Sequence, residues 1–152
     1  MPAGDFLEFS VSDAGVRAMF ERLIRLGTDL TEPMTAIAGH LAATSEDAFE
    51  REQDPWTGAD WIDLAASTKE RRAESGTWPG QKLRVTGHMA ASLVAESGRD
   101  FASVGVGQDY APFLQLGTRR MPARPFLGLS DETIDNISDT LQKALRDAAD
   151  GT

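Results

Sequence analysis

Hydrophobic positions follow two different spacings near the start of the chain, and each spacing predicts a different element. Over residues 7–11 every second residue is apolar, which predicts a short strand with one buried face. Over residues 16–26 the apolar positions recur every three or four residues, which predicts an amphipathic helix. Ser12 or Asp13 is expected to cap this helix, and Gly27 is expected to end it.

A second helix is predicted from Thr31 to about Arg51. Thr31 is expected to be its cap, and Pro33 falls in the first turn, where a missing N–H costs nothing. Its apolar stripe consists of Met34, Ile37, Ala38, Leu41, Ala42 and Phe49. Two early helices of this kind are expected to form a hairpin.

Two tryptophans stand in a turn-rich stretch that follows the second helix. Pro55 and Gly58 predict turns there, while Trp56 and Trp61 are too large to leave in water without a reason. Residues 62–72 then predict a short helical or irregular segment.

The next stretch gives a mixed signal. Residues 86–97 fit a helix and a strand equally well, because the apolar positions are few and both spacings suit them. Residues 101–107 predict a strand, and a strand ending near residue 97 would make a hairpin with it. Residues 110–117 predict a short helical turn that closes at Gly117.

The last predicted helix has the clearest signals. Ser130 is its expected cap, with Asp131 and Glu132 at the positive end of the helix dipole and Arg146 near the negative end. Its apolar face consists of Ile134, Ile137, Leu141, Leu145 and Ala148. The elements together predict one α+β domain over residues 1–152, with a small, mostly antiparallel sheet, packed helices and a long C-terminal helix.

Composition narrows the class of protein. A chain of 152 residues with 41% hydrophobic residues is the size of one soluble domain. The absence of cysteine excludes disulfides, a thiol nucleophile and a zinc–thiolate site. No apolar run approaches the roughly 20 residues of a membrane span, and the first ten residues do not resemble a secretory signal. We therefore expect no membrane partner, and folding in the cytoplasm.

Candidate catalytic chemistry is weak. His40 and His88 are the two histidines, and neither lies in a nucleophile motif or at a metal-ligand spacing. The glycines of residues 104–108 lack the third glycine of a nucleotide-binding loop. The sequence predicts no enzyme, no metal and no cofactor.

Charge is unevenly distributed along the chain, whose formal net charge is -9. Residues 1–66 contain 13 acids and 4 bases, residues 67–124 contain 5 acids and 9 bases, and residues 125–152 contain 6 acids and 2 bases. A basic middle in an acidic chain is compatible with binding to nucleic acid, with binding to other copies of the chain, or with a solvated surface.

Three of these bases, Arg119, Arg120 and Arg124, cluster in a loop that also contains prolines and apolar residues. On DNA they would release counterions from phosphates, but three arginines are few and no aromatic residue is interleaved to stack on bases. On a protein, arginine forks match carboxylates, and the nearby prolines reduce the entropy lost on binding. An interface is favoured, and a purely structural loop remains an alternative.

Residues 49–130 resemble the virion morphogenesis, or tail completion, proteins of contractile-tailed phages and related prophages. The ordered set of motifs carries the resemblance, since no single piece is specific. The matching positions are Gly58, Trp61, Leu64, Thr68, Leu83, Thr86, Gly87, Ser92, Leu93, Tyr110, Ala111, Gln115, Gly117 and residues 123–127.

The resemblance implies a non-enzymatic structural protein that completes the head-proximal end of the tail and lets the tail join the filled head. It implies assembly as a hexameric ring of copies of the chain, with the tail tube or tail terminator and the head–tail connector as further partners. The implied location is the neck of the virion, after assembly in the host cytoplasm.

Charge pattern and resemblance together predict a loop that docks on a neighbouring protein. The predicted interface residues are Tyr110, Gln115, Arg119, Arg120, Met121, Arg124 and Phe126. The alternative function is a DNA-contacting neck or connector module that uses the basic segment 67–124.

Overall fold

A computed structural model describes residues 13–76, 92–107 and 111–150. In chain order, the elements are α1 (Ala14–Arg25), α2 (Thr31–Arg51), α3 (Ala66–Glu74), β1 (Leu93–Ser97), β2 (Ala102–Val106), α4 (Ala111–Leu116) and α5 (Asp131–Asp150). These residues thus form five helices and one two-stranded antiparallel sheet, which confirms the predicted α+β class. The strand predicted over residues 7–11 lies outside the described residues.

The starts of α1 and α2 show how local polar groups set the helix boundaries. The Asp13 carboxylate accepts a hydrogen bond from the Val16 amide at 3.0 Å, which identifies the cap of α1. Thr31 is the first residue of α2 and not its cap, so that prediction was wrong. Asp29 accepts hydrogen bonds from both the amide and the hydroxyl of Thr31, and these bonds lower the pKa of Asp29 below its ordinary value.

The first core cluster lies between three helices. α1 and α2 each contact α5 more extensively than they contact each other, so the predicted hairpin of α1 and α2 is replaced by a three-helix arrangement. The apolar stripes of all three helices converge because each stripe needs cover from water. The buried members are Leu23, Leu30, Met34, Ile37, Ile137, Leu141 and Ala144.

The sheet is a hairpin packed on α2. β1 and β2 pair in register from Leu93 opposite Val106 to Ser97 opposite Ala102, and the Gly98 amide closes the turn onto the Phe101 carbonyl at 3.0 Å. The predicted β-hairpin is confirmed, and residues 93–97 form a strand, which was one of the two alternatives left open for residues 86–97. Both strands contact α2, which therefore lies between the sheet and α5 as the central helix of the fold.

A second core cluster surrounds the end of α2 and positions the arginine-containing loop. The Phe49 ring stacks on Phe126 with centroids 5.1 Å apart, and meets Trp61 edge-on at 6.2 Å. Val106 and Leu127 are buried beside these rings. Aromatic pairs in such geometries contribute about 0.5–1.5 kcal/mol beyond the burial of their area. The loop after α4 is thus attached to the core through its own aromatic residue.

Candidate functional site: an arginine-containing loop

Gln115 on α4 holds the later part of the loop. Its side-chain Oε1 accepts hydrogen bonds from the amides of Phe126 and Leu127, both at 3.0 Å, and its Nε2 donates to the Leu127 carbonyl at 2.9 Å. Gln115 is buried. A buried main-chain group without a hydrogen-bond partner lowers the stability of the fold by about 1–3 kcal/mol. The amide side chain of Gln115 avoids this loss for three main-chain groups of an irregular segment.

Arg124 fixes the same segment from the other side. Its Nε donates to the Ile62 carbonyl at 2.9 Å, its Nη2 donates to the Asp63 carbonyl at 3.1 Å, and only 4% of the residue is exposed. Burial lowers the pKa of the Arg124 guanidinium, while the carboxylates of Asp63 and Glu52 act in the opposite direction. An arginine stays charged at neutral pH, so the buried cation is stabilised by carbonyl dipoles and these two carboxylates.

Two further bonds complete the attachment. The Trp61 indole donates from Nε1 to the Pro125 carbonyl at 2.7 Å, and the Arg124 amide donates to the Leu114 carbonyl at 2.6 Å. Phe126 itself is fully buried. Residues 124–127 are therefore bonded to α4, to the segment after Trp61 and to the aromatic core at once.

Residues 118–121, which we call the arginine tip, project from this fixed base as a closed turn. The Thr118 amide donates to the Met121 carbonyl at 2.8 Å, and the Arg120 amide donates to the Thr118 hydroxyl at 3.2 Å. Gly117 starts the turn with φ at 77°, and a Cβ there would lie 2.8 Å from the Ala123 nitrogen. Arg119 and Arg120 are exposed on this turn.

Two large apolar side chains accompany the arginines on the surface. Phe113 is 54% exposed and Leu116 is 71% exposed. They are three residues apart on α4, so they share one side of the helix, whereas Ala111 and Gln115 face the core. We call Phe113, Leu116 and the arginine tip the docking edge. Arginine and large apolar residues together are typical of protein interfaces.

The predicted interface residues divide into two groups. Arg119 and Arg120 are exposed and Met121 is half-buried, whereas Gln115, Arg124 and Phe126 are buried and make their contacts within the chain. Tyr110 lies outside the described residues.

The sequence interpretation missed the exposure of Phe113 and Leu116. The sequence did contain a signal for this exposure. Phe113 and Leu116 are three residues apart and lie on one side of a short helix, and such a helix cannot bury all of its sides.

A concave surface lies between α2, the turn over residues 53–58 and the start of α5, with a volume of about 640 Å³. We call it the acidic groove. Its charged lining consists of Asp47, Arg51, Asp54, Asp131 and Glu132, together with His40. Arg51 is the basic residue of this lining and forms an ion pair with Asp47 at 3.1 Å, so the net charge of the lining is negative. Trp56, which is 42% exposed, supplies its largest apolar surface.

Hydroxyl groups join the two helices that border the acidic groove. The Thr133 hydroxyl lies 2.6 Å from that of Thr44 on α2 and 2.8 Å from that of Ser130. Ser130 also accepts a hydrogen bond from the Thr133 amide at 3.1 Å, as predicted for the cap of α5. These bonds fix the start of α5 against α2, so the groove has a defined shape.

In residues 13–76, 92–107 and 111–150, no three His, Cys, Asp or Glu side chains cluster in a way that could hold a metal ion. Across those same ranges, no helix is both long and apolar enough to cross a lipid bilayer. His88 lies outside the described residues, and His40 lies half-buried beside the acidic groove.

A base fixed by hydrogen bonds carries exposed arginines and apolar side chains, a composition typical of surfaces that contact other polypeptides. The chain belongs to the phage virion morphogenesis family, which matches residues 11–146. This match confirms the resemblance seen in the sequence and indicates a role in virion assembly.

Two relatives extend this finding. Mu-like prophage FluMu G protein 1 of Haemophilus influenzae is 34% identical over 143 residues, which cover 91% of this chain and 94% of the relative. Protein G of Escherichia phage Mu, named as a candidate capsid assembly protein, is 34% identical over 139 residues, which cover 84% of this chain and 88% of the relative. No solved structure matches the chain.

Proposed function

We propose that this chain is a non-enzymatic structural protein that completes the head-proximal end of a phage tail and enables head–tail joining as a ring of identical copies. Its family membership supports a role in virion assembly. The observation that carries the proposal is the docking edge, where Arg119, Arg120, Phe113 and Leu116 are exposed on a base whose polar groups are already bonded. Other copies, the tail tube or terminator and the connector are the partners it would contact.

The rigidity of the base favours binding. Each flexible side chain that becomes ordered on association costs about 0.5–1.5 kcal/mol of binding free energy. A loop that is already fixed before binding avoids part of that cost. Gln115 and Arg124 hold residues 124–127 by five hydrogen bonds to main-chain carbonyl and amide groups. Because the polar groups of Gln115 and Arg124 make these bonds within the chain, they are not free to act on a substrate. This supports a binding role for the loop over a catalytic one.

A gene deletion in a phage that encodes this chain tests the proposal. Thin-section and negative-stain electron micrographs are expected to show filled heads and tails that remain separate, and antibody-linked gold on complemented particles is expected to mark the neck. Normal joined virions from the deletion phage would contradict the proposed role.

Complementation then tests the docking edge within that role. Arg119→Glu/Arg120→Glu is expected to fail to restore joined virions. Arg22→Glu/Arg25→Glu is the matched control, because both of its arginines are exposed on α1 and the change in charge is the same. Equal rescue by the two variants would remove the docking edge from the proposal.

A DNA-contacting neck module is the second candidate, and it has less support. Arg71, Arg99, Arg119 and Arg120 are exposed within the basic segment 67–124. In that same segment Lys69 pairs with Asp63, and Arg72 and Arg124 are buried, so these three cations are poorly placed to meet phosphates. Duplex binding with a steep salt dependence, lost in Arg119→Glu/Arg120→Glu, would favour this function. Absence of binding at low salt would end it.

A further inference from the structure

We infer that the arginine tip of one copy docks in the acidic groove of the next copy, against the Trp56 ring. The inference rests on the proposed function in one respect, that the occupant of the groove is a second copy of this chain. It adds the two surfaces that meet and the chemistry that joins them.

Charge complementarity is the first support. The acidic groove has Asp47, Asp54, Asp131 and Glu132 on its lining, against Arg51, which is already paired with Asp47. The arginine tip presents Arg119 and Arg120 on its exposed side. Opposite patches of this kind steer association and fix the register of two surfaces. The groove would repel a phosphate backbone for the same reason, so nucleic acid does not suit it.

The side-chain types also match. A guanidinium binds a carboxylate through two parallel hydrogen bonds, and it stacks on the face of an indole. The groove offers carboxylates at the start of α5 and the side chain of Trp56, which is 42% exposed. Leu116, two residues before the tip and 71% exposed, would add an apolar contact. The groove is an open one, and its volume of about 640 Å³ leaves room for the side chains of one turn.

The path of the chain excludes docking within one copy. Residues 122–130 connect the arginine tip to the start of α5, and they are held to the core by Gln115, Arg124 and Trp61. The end of this connection passes close to the Trp56 ring, since a Cβ on Gly128 would lie 2.7 Å from it. The tip therefore cannot fold back into its own groove while these bonds persist.

The resulting contact joins two different surfaces, so it is heterologous. Such contacts form closed rings when the rotation between copies closes, and open filaments when it does not. One docking edge and one groove per copy are sufficient for a ring, because every copy then gives and receives one contact.

Thiol crosslinking tests the inference directly, because the chain has no cysteine. The variants are full-length Arg120→Cys and Glu132→Cys, treated with a short bismaleimide as mixed purified proteins and also after co-expression during phage assembly. A crosslink between the two introduced cysteines, identified by peptide mass, is expected in at least one of the two samples, because the linker spans the distance between main chains that an arginine–carboxylate contact leaves, which is too long for a disulfide. Arg120→Cys with Glu21→Cys is the matched control, since Glu21 is an exposed acid on α1.

Three outcomes overturn the inference. The first is no crosslink in either sample, the second is a yield equal to that of the control, and the third is capture of the Glu132→Cys variant by a different tail or neck protein. None of these outcomes contradicts the proposed function, which the deletion phage tests separately. Conversely, joined virions from the deletion phage would end the proposed function whatever the crosslinks show.

Charge reversal supplies an independent readout in the complementation assay. Arg119→Glu/Arg120→Glu and Asp131→Lys/Glu132→Lys are each expected to lower the titre of joined virions at least about tenfold, because like charges would then face each other. Combining all four changes in one chain restores opposite charges across the contact and is expected to recover most of the titre. A combined variant no better than either parent, although folded by circular dichroism, contradicts the pairing.

Discussion

Arg124 and Arg119 belong to the same short loop but have opposite surroundings. Arg124 is buried and donates to two main-chain carbonyls about 60 residues away in the sequence, while Arg119 is exposed at the tip of a closed turn. The first arginine holds the loop and the second is displayed by it. Residue type alone therefore does not reveal which arginine is buried as part of the fold and which is exposed and available to the proposed interface.

The comparison predicts that stability depends on the buried part of the loop and very little on the tip. The largest loss is expected for Phe126→Ala, because Phe126 is fully buried and stacks on Phe49. Removing a core phenylalanine costs about 3–5 kcal/mol of the free energy of unfolding. Urea denaturation measures it, with Phe113→Ala as the exposed control. A loss below about 1 kcal/mol would show that the loop is not attached to the core as described.

The next largest effect is expected for Arg124→Ala. Hydrogen bonds that involve a charged group contribute about 1.5–3 kcal/mol, and this change removes those to the Ile62 and Asp63 carbonyls. Arg124→Lys keeps the charge but loses the planar fork, so most of the loss should remain. Denaturant midpoints of the two variants compare them. Full stability of Arg124→Lys would mean that charge, and not the two directed bonds, matters here.

A smaller loss is expected for Gly117→Ala, at the junction between the two regions. Its φ of 77° lies in the left-handed region, which costs an ordinary residue about 1–2 kcal/mol, and its Cβ would press on the Ala123 nitrogen. Thermal unfolding measures the change. Gly39→Ala is the control, because that position has free space and lies within α2, where alanine is favoured. Equal effects of the two changes would remove the argument for a fixed turn.

The smallest change in stability is expected for Arg119→Ala/Arg120→Ala, within about 0.5 kcal/mol, because exposed side chains contribute little to folding. The same variant is expected to lose joined virions in complementation. Stability by urea denaturation and virion titre are therefore measured side by side. A clear loss of stability with normal titre would reverse the roles that we assign to the tip and the base.

The helices and the N-terminal cap of α5 could be predicted from the sequence because their signals are local. Asp13 and Ser130 stand directly before an amphipathic pattern, and the structure gives them the expected hydrogen bonds. Residues 86–97 could not be assigned, since short apolar runs suit both spacings, and only the pairing of Leu93 with Val106 distinguishes the strand. Local patterns thus predicted the elements more reliably than their partners.

The candidate site was harder to predict because its determinants are distant in sequence. Gln115 and Arg124 are polar residues next to prolines or turns, a context typical of a surface. Their burial depends on main-chain groups of residues 62–63 and 126–127, which no periodicity reveals. The exposure of Arg119 and Arg120 is what charge within a turn leads one to expect, whereas their role at an interface stays a prediction.

Gly128 has a consequence for the position of Trp56. With no side chain at this residue, the indole lies close to the main chain, next to Leu127, which is bonded to Gln115. Any side chain larger than hydrogen at residue 128 would displace the ring, so the place of the indole beside the acidic groove depends on one glycine.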